Sequence, residues 1–191
     1  VHIDGLWKKT LRENKMILFL QEHKMKFENI IADETQITAY TENTTFKELG
    51  IKIDGNTEAL IFNANIVRDR NPYMFDQYKK GYVKNHSVGM QYVKLFLAIN
   101  SDSYPEEKAV WDKYYPVIAN KDRADELGFF YAVTEAKLIE GSAVPLGSNI
   151  ATPTISVSQT KKEPDDSTQK NEPSPDTLKN ALRDTIKEMF N

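Results

Sequence analysis

The sequence contains no cysteine and only three histidines, His2, His23 and His86. The lack of cysteine excludes disulfide bonds, thiol catalysis and cysteine-ligated zinc. The histidines do not follow the HxH or HExxH spacing of histidine-rich metal sites. We therefore expect neither a metal ion nor another cofactor.

Charge and hydropathy argue against two further classes of protein. The net charge is −3 and the chain has no block of basic residues, which gives little electrostatic support for nucleic-acid binding. The longest apolar runs, such as MILFL at residues 16–20, are far shorter than the ~20 residues that cross a bilayer. We expect no nucleic-acid partner and no membrane partner.

The apolar patterns predict a fold rich in strands. Strands are expected at residues 13–23, 36–41, 58–67, 85–99 and 129–144. Helices that begin at proline or asparagine and end at glycine or proline are expected at residues 72–80, 105–115 and 121–127. This order predicts an α+β domain or a β-barrel with peripheral helices.

The composition changes after residue 153. Residues 158–177 are rich in proline and charge and contain no aliphatic or aromatic residue, so we predict a disordered linker over residues 154–177. Residues 178–191 place apolar side chains at helical spacing, which predicts a short amphipathic helix. This helix either docks on its own domain or binds a partner as a tethered hook, and the sequence leaves both open.

A serine and a histidine are neighbours in VKNHSVGMQYV, residues 83–93. If this segment is a strand, Ser87 points to a polar face, on which Gly89 leaves room for a substrate backbone to approach, whereas His86 points to the apolar face. A general base must come within roughly 2.6–3.2 Å of the hydroxyl, so we predict that His86 is a bystander. The other candidate base is His23, at the end of a predicted strand, where a lone histidine is more often structural or solvated.

The predicted strand at residues 129–144 offers a carboxylate. Its even positions form a mainly apolar face that ends in Glu140, whereas Glu135 and Lys137 lie on the opposite, more polar face. A carboxylate that closes an apolar face needs a partner such as histidine, because an unpaired buried charge is costly. The alternative is that Glu140 has reached solvent at the end of the strand. The sequence has neither the GxSxG nor the SxxK motif of serine hydrolases.

Three segments, in this order, resemble the tailed-phage prohead (capsid maturation) serine proteases, which are distantly similar to the herpesvirus assemblins. ILFLQEHK (residues 17–24) resembles the segment that supplies the family's histidine. NHSVGMQYVK (85–94) resembles its nucleophile segment, Ser-Val/Ile-Gly-Phe/Met. The segment at residues 133–153 resembles the following strand, with its Leu-x-Glu-x-Ser-x-Val pattern and Asn-x-Ala ending.

The resemblance implies a β-barrel-like protease domain with peripheral helices over residues 1–153. It implies a serine endopeptidase with Ser87 as nucleophile, His23 as base and Glu140 as the third member of the triad. The substrates would be the major capsid protein or scaffold propeptides, inside the assembling prohead in the host cytoplasm. The resemblance leaves open whether the barrel lacks an upstream strand, whether the protease cuts itself and whether it forms a homodimer.

Two other functions are compatible with the sequence. The chain could be a catalytically inactive capsid-assembly or scaffold-type protein that uses its C-terminal helix as a binding hook. It could also be an unrelated esterase or amidase with the same catalytic residues. Only an enzyme needs Ser87, and a capsid protease should require a long extended peptide, whereas an esterase should hydrolyse small esters.

Overall fold

The structure, a computed structural model, describes residues 1–14, 16–147, 149 and 152–158. Residues Val1–Val157 form one compact unit. Most of the predicted linker (154–177) and the whole predicted helix (178–191) lie outside the described residues, so both stay predictions.

Helices are inserted between strands along the described chain, as the sequence predicts. They are α1 (Lys8–Glu13), β1 (Leu18–Gln21), β2 (Ile30–Ala32), β3 (Ile37–Thr45), β4 (Asn56–Ala64), α2 (Pro72–Lys79), β5 (Asn85–Ile99), α3 (Pro105–Tyr114), α4 (Lys121–Leu127) and β6 (Phe129–Val144). The bounds of β5, α4 and β6 agree with the prediction, whereas α1 and β2 were not predicted. None of the helices in the described ranges has the length and hydropathy that a bilayer crossing needs.

Local sequence signals fix the ends of the predicted helices. At the start of α2, the Asn71 side chain accepts a hydrogen bond of 3.0 Å from the Met74 backbone N–H, and Pro72 occupies the first turn. At the end of α4, Gly128 adopts a left-handed conformation with φ of 71°. Helix α2 therefore begins, and α4 ends, where capping chemistry places the boundary.

The strands form an open four-stranded sheet and a separate hairpin. The order in the sheet is β2-β1-β6-β5, with β1 parallel to β6 and the other pairs antiparallel. Strands β3 and β4 pair only with each other. The mixed α+β class is confirmed. The described strands do not close into a barrel, because β2 and β5 remain as edges of the sheet and the hairpin pairs with neither.

Two apolar clusters lie along the long β5–β6 pair. The first core packs one half of this pair against β1, the hairpin, α2 and the N-terminal segment, with buried side chains that include Leu6, Trp7, Phe19, Ile31, Met74, Tyr78 and Leu138. The second core lies under α3 and α4, around Ala98, Trp111, Ile118, Ala124, Phe130 and Ala132. Strand β6 contributes to both cores, so its register is set by burial at both of its ends.

A β-bulge interrupts the alternation of β6. Gly89 lies opposite Glu140, but the next residue, Met90, lies opposite Leu138, so Ile139 is an extra residue. Because opposite residues of an antiparallel pair point to the same face, the bulge places Leu138 and Glu140 on opposite faces. Leu138 is fully buried in the first core. The predicted apolar face therefore does not continue to Glu140, and this part of the prediction was wrong.

Candidate active site

His23 lies in a tight turn that follows β1. The Lys24 backbone N–H donates to the Gln21 carbonyl at 3.1 Å, and the two central residues, Glu22 and His23, have φ of 55° and 58°. Such left-handed conformations are uncommon for residues other than glycine, and each costs on the order of 1–3 kcal/mol. They persist only where neighbouring groups hold the backbone in place.

Strand β6 holds this turn. The Glu22 backbone N–H donates to the Ala143 carbonyl at 2.9 Å. The His23 backbone N–H donates to the Ser142 hydroxyl oxygen at 3.1 Å. The position of His23 is therefore determined by the end of β6 as well as by β1.

His23 and Glu140 form the central contact of the site. His23 Nδ1 lies 2.6 Å from Glu140 Oε1, and the Ser142 hydroxyl donates to Glu140 Oε2, also at 2.6 Å. The side chain of Glu140 is 3% exposed and that of His23 is 43% exposed. Both oxygens of the buried carboxylate thus have partners, which is the condition for burying such a charge. Among the described residues, His23 Nε2 has no hydrogen-bond partner.

Ser87 lies on the neighbouring strand, directly opposite Ser142. Their side chains point to the same face, and the Cβ atoms of such a pair are roughly 4.5–5.5 Å apart. Ser87 is partly buried, and within the described ranges its hydroxyl makes no hydrogen bond. The structure therefore places Ser87 beside the Glu140–Ser142–His23 network without joining its hydroxyl to His23. Catalytic hydrogen bonds are often long in substrate-free enzymes.

Gly89 gives Glu140 its space. A Cβ atom built on Gly89 would lie 2.3 Å from Glu140 Oε1 and 3.0 Å from Cδ. The sequence suggested that this glycine leaves room for a substrate backbone. The structure shows instead that the space is taken by the carboxylate.

His86 is packed on the opposite face of β5. Its ring stacks on Phe19 and Tyr78, with centroids 5.9 and 6.1 Å away. Nε2 lies 2.9 Å from the Tyr78 hydroxyl and Nδ1 lies 3.1 Å from the Thr152 carbonyl. A carbonyl can only accept, so Nδ1 carries the proton and Nε2 accepts from Tyr78. Burial lowers the pKa of His86, which favours this neutral form.

The segment that follows β6 returns to the start of β5 and pairs with it. We call residues 152–154 the strap. The His86 backbone N–H donates to the Thr152 carbonyl at 3.0 Å. The Thr154 backbone N–H donates a hydrogen bond to the Lys84 carbonyl at 3.3 Å, and the Thr154 hydroxyl donates one to the Val83 carbonyl at 2.8 Å. The strap therefore fixes the part of β5 that immediately precedes Ser87.

Glu135 takes part in a different network. Its carboxylate lies 2.6 Å from Lys94 Nζ and 3.0 Å from Lys9 Nζ. The hydrogen bond from Lys94 has the largest effect on the pKa of Glu135, followed by that from Lys9. Together with the charges of the two lysines, these bonds hold the pKa below its usual value. The side chain joins α1 to the β5–β6 pair and makes no contact with His23. It is more enclosed than the predicted polar face suggested, with 9% of the residue exposed.

Ser142 belongs to the site, although residue-level reasoning did not single it out. It is fully buried and contacts both Glu140 and His23. The sequence did contain an indication of this role, because Glu140 and Ser142 are two residues apart in a predicted strand and therefore point to the same face. The pairing of β1 with β6, which brings His23 to Ser142, could not be inferred from that spacing.

Comparisons of the chain with models of known protein families, with curated protein sequences and with solved structures find no match. The similarity to prohead proteases thus remains a prediction from three short segments. The chemical interpretation of the site rests on the geometry of the residues described above.

Proposed function

We propose that this chain is a serine endopeptidase of the prohead protease type, with Ser87 as nucleophile, His23 as general base and Glu140 as the residue that orients the base. The observation that carries the proposal is the buried Glu140–His23 contact of 2.6 Å on the face to which Ser87 points. A buried carboxylate, a half-exposed imidazole and a nearby hydroxyl are the components of a serine-protease triad.

The proposed chemistry assigns one role to each of these groups. When a peptide binds, His23 Nε2 takes the proton of Ser87 as its oxygen attacks the scissile carbonyl. Glu140 stabilises the imidazolium that forms, and His23 then gives the proton to the leaving amine. A water molecule, activated by the same imidazole, hydrolyses the acyl-enzyme and restores Ser87. Backbone N–H groups would hold the oxyanion.

The proposal includes a herpesvirus-protease-like, barrel-like arrangement of the strands. The order of the histidine, serine and glutamate segments along the chain and the helices inserted between the strands support it. Closure would require the sheet edge at β2 or β5 to pair with the β3–β4 hairpin or with a further strand.

The proposed substrates are propeptides of a major capsid protein or a scaffold protein, cut inside an assembling prohead in the host cytoplasm. The support for this substrate class is the resemblance of the three segments, together with a site built for acyl transfer. The chain itself is a further proposed substrate.

The proposal can be tested with a proteome-derived peptide library and mass spectrometry. We expect the wild-type chain to cut extended peptides and the Ser87→Ala chain to leave them intact, with unchanged circular dichroism. A fluorophosphonate probe should label Ser87 in the wild-type chain, and labelling should be slower in His23→Ala.

The alternatives give different results. Equal cleavage by the wild-type and Ser87→Ala chains would remove Ser87 from the site. Absence of both cleavage and labelling would favour the inactive capsid-assembly or scaffold-type protein. Faster turnover of small esters than of extended peptides would indicate an esterase.

A further inference from the structure

Ser142 contacts both the turn that carries the candidate base and the carboxylate that pairs with this base. Its side chain is completely enclosed, so its hydrogen bonds do not compete with water. It contacts the backbone of His23 at the end of β1 and the side chain of Glu140 within β6. No other described residue bonds to both.

The directions of these hydrogen bonds are fixed by chemistry. The His23 backbone N–H can only donate, so the Ser142 oxygen accepts there at 3.1 Å. The single hydroxyl proton of Ser142 is then free for Glu140 Oε2, at 2.6 Å. A hydrogen bond from a hydroxyl to a carboxylate is of the strong, charge-assisted kind.

This arrangement determines how Glu140 meets His23. With Oε2 occupied by Ser142, Oε1 is the oxygen that faces His23 Nδ1. An ionised carboxylate accepts only, so Nδ1 carries the imidazole proton and Nε2 keeps its lone pair. A base that receives a proton from Ser87 must be in this tautomer.

We propose that Ser142 is a positioning residue that sets both the orientation of Glu140 and the place of His23. The inference rests on the proposed function, because it assigns a role within the same site. Ser142 is not itself the nucleophile, since its hydroxyl is enclosed and its proton is directed to Glu140. Without the hydroxyl, the left-handed turn loses its contact with Ser142, and the imidazole is no longer held relative to Ser87.

The test compares two hydroxyl groups that bond to β6. Thr10 is also buried, and its hydroxyl accepts a hydrogen bond of 3.0 Å from the Leu138 backbone N–H, but it has no contact with His23 or Glu140. We would prepare Ser142→Ala, Ser142→Thr and, as the matched control, Thr10→Val in the full chain. The measurements are kcat and KM on a cleaved library peptide, the melting temperature, and the proton NMR signals of the His23 ring.

We expect Ser142→Ala to lower kcat by about 10–100-fold with little change in KM, because small displacements of catalytic groups have effects of this size. The downfield Nδ1–H signal of His23 should shift or broaden. Ser142→Thr keeps the hydroxyl and should restore most of kcat and the signal. Thr10→Val should lower the melting temperature but leave kcat and the His23 signal unchanged. If Ser142→Ala does not fold, Ser142→Cys, with weaker hydrogen bonds, should change kcat and the signal in the same direction.

The NMR signal separates this inference from the proposed function, since it needs no turnover. An unchanged His23 signal in folded Ser142→Ala or Ser142→Cys overturns the positioning role, whether or not the wild-type chain cuts peptides. An equal loss of kcat in Thr10→Val would also overturn it, because the effect would then be general destabilisation. A shifted signal in a chain without peptidase activity would support the positioning role and contradict the protease.

Discussion

Gly89 and Glu140 lie directly opposite each other on β5 and β6, and the carboxylate occupies the place where a side chain on Gly89 would begin. The carboxylate cannot move aside freely, because it is 3% exposed and contacts His23 and Ser142 at 2.6 Å each. Glu140 can therefore occupy its position only because residue 89 is a glycine.

We therefore expect Gly89→Ala to displace Glu140 and to lower kcat on the order of 10²-fold. The overpacked site should also lose ~1–3 kcal/mol of unfolding free energy, measured by urea denaturation. Gln91→Ala, at an exposed position of the same strand, is the control and should change neither value. Wild-type activity in Gly89→Ala would mean that the observed position of Glu140 is not needed for turnover.

His23 and His86, the two histidines near Ser87, should respond differently to substitution. His23→Ala should abolish peptide cleavage in samples that remain folded, and it should also lower stability, because Oε1 of the buried Glu140 loses its partner. His86→Ala should retain the site but unfold more easily, by roughly 1–3 kcal/mol, since it removes a ring that stacks on Phe19 and Tyr78 and bonds at both nitrogens. Cleavage assays and thermal melts on the same samples separate the two effects. Loss of cleavage in folded His86→Ala, with cleavage retained in His23→Ala, would identify His86 as the base.

The carboxylates Glu140 and Glu135 form a second matched pair. Glu140→Gln keeps the volume of the side chain but removes the charge that stabilises a protonated His23, and the amide can also present an N–H to Nδ1. We expect kcat to fall on the order of 10²–10³-fold with a small change in KM.

Glu135→Gln should keep kcat and lower the melting temperature, because it weakens the contacts to Lys9 and Lys94. Its effect is therefore on stability and not on turnover. Similar kcat values in the two variants would remove Glu140 from the catalytic machinery.

The histidines whose pKa is lowered in the folded chain should make stability depend on pH. Burial lowers the pKa of His86 in the folded chain below the ordinary value of 6.5, so below that pH the unfolded chain binds a proton that the folded chain does not. The unfolding free energy should therefore fall as the pH drops below 6.5, by at most about 1.4 kcal/mol per pH unit from this group, until the folded pKa is reached.

This dependence can be assigned with variants. Burial and the N-terminal charge lower the pKa of His2 as well, so its contribution has the same sign. Urea denaturation between pH 5 and pH 8 should give a shallower slope for His86→Gln than for the wild-type chain, with His2→Gln measured in parallel. An unchanged slope in His86→Gln would show that this ring is protonated alike in both states.

Truncation should distinguish the strap from the segment that follows it. A chain that ends at Ser158 retains the compact unit Val1–Val157 and should unfold cooperatively at the wild-type midpoint. A chain that ends at Gly147 loses the partners of His86 and Val83 and should melt at a lower temperature. Equal melting of the two truncated chains would show that the strap contributes nothing to the fold. A lower midpoint for the chain ending at Ser158 would assign a structural role to residues 159–191.

Much of this fold follows from local pattern. The 15 residues of β5 and the 16 of β6 alternate or remain apolar, and α4 lies between an asparagine and a glycine, so their bounds agree with the prediction. Helix α1 and strand β2 were missed because they are six and three residues long and lack such signals. Short elements form where tertiary contacts favour them, and single-sequence patterns do not contain those contacts.

The site, too, has features that follow from local sequence and features that depend on tertiary pairing. That Ser87 and His86 point to opposite faces follows from the alternation of a strand, and the structure agrees. The meeting of His23 and Glu140, 117 residues apart, depends on the parallel pairing of β1 with β6, which no local pattern specifies. The bulge at Ile139 was also invisible, because an extra residue is defined only by the partner strand.

This bulge gives β6 one residue more than its pairing with β5 requires. Without Ile139, Leu138 and Glu140 would be consecutive in the strand, and regular alternation would still direct them to opposite faces, across from Met90 and Gly89. A chain that is one residue shorter at this point should therefore keep the leucine in the first core and the carboxylate beside His23. Homologous chains that lack this residue should retain the site, and an alignment that requires a fixed spacing between the two side chains would miss them.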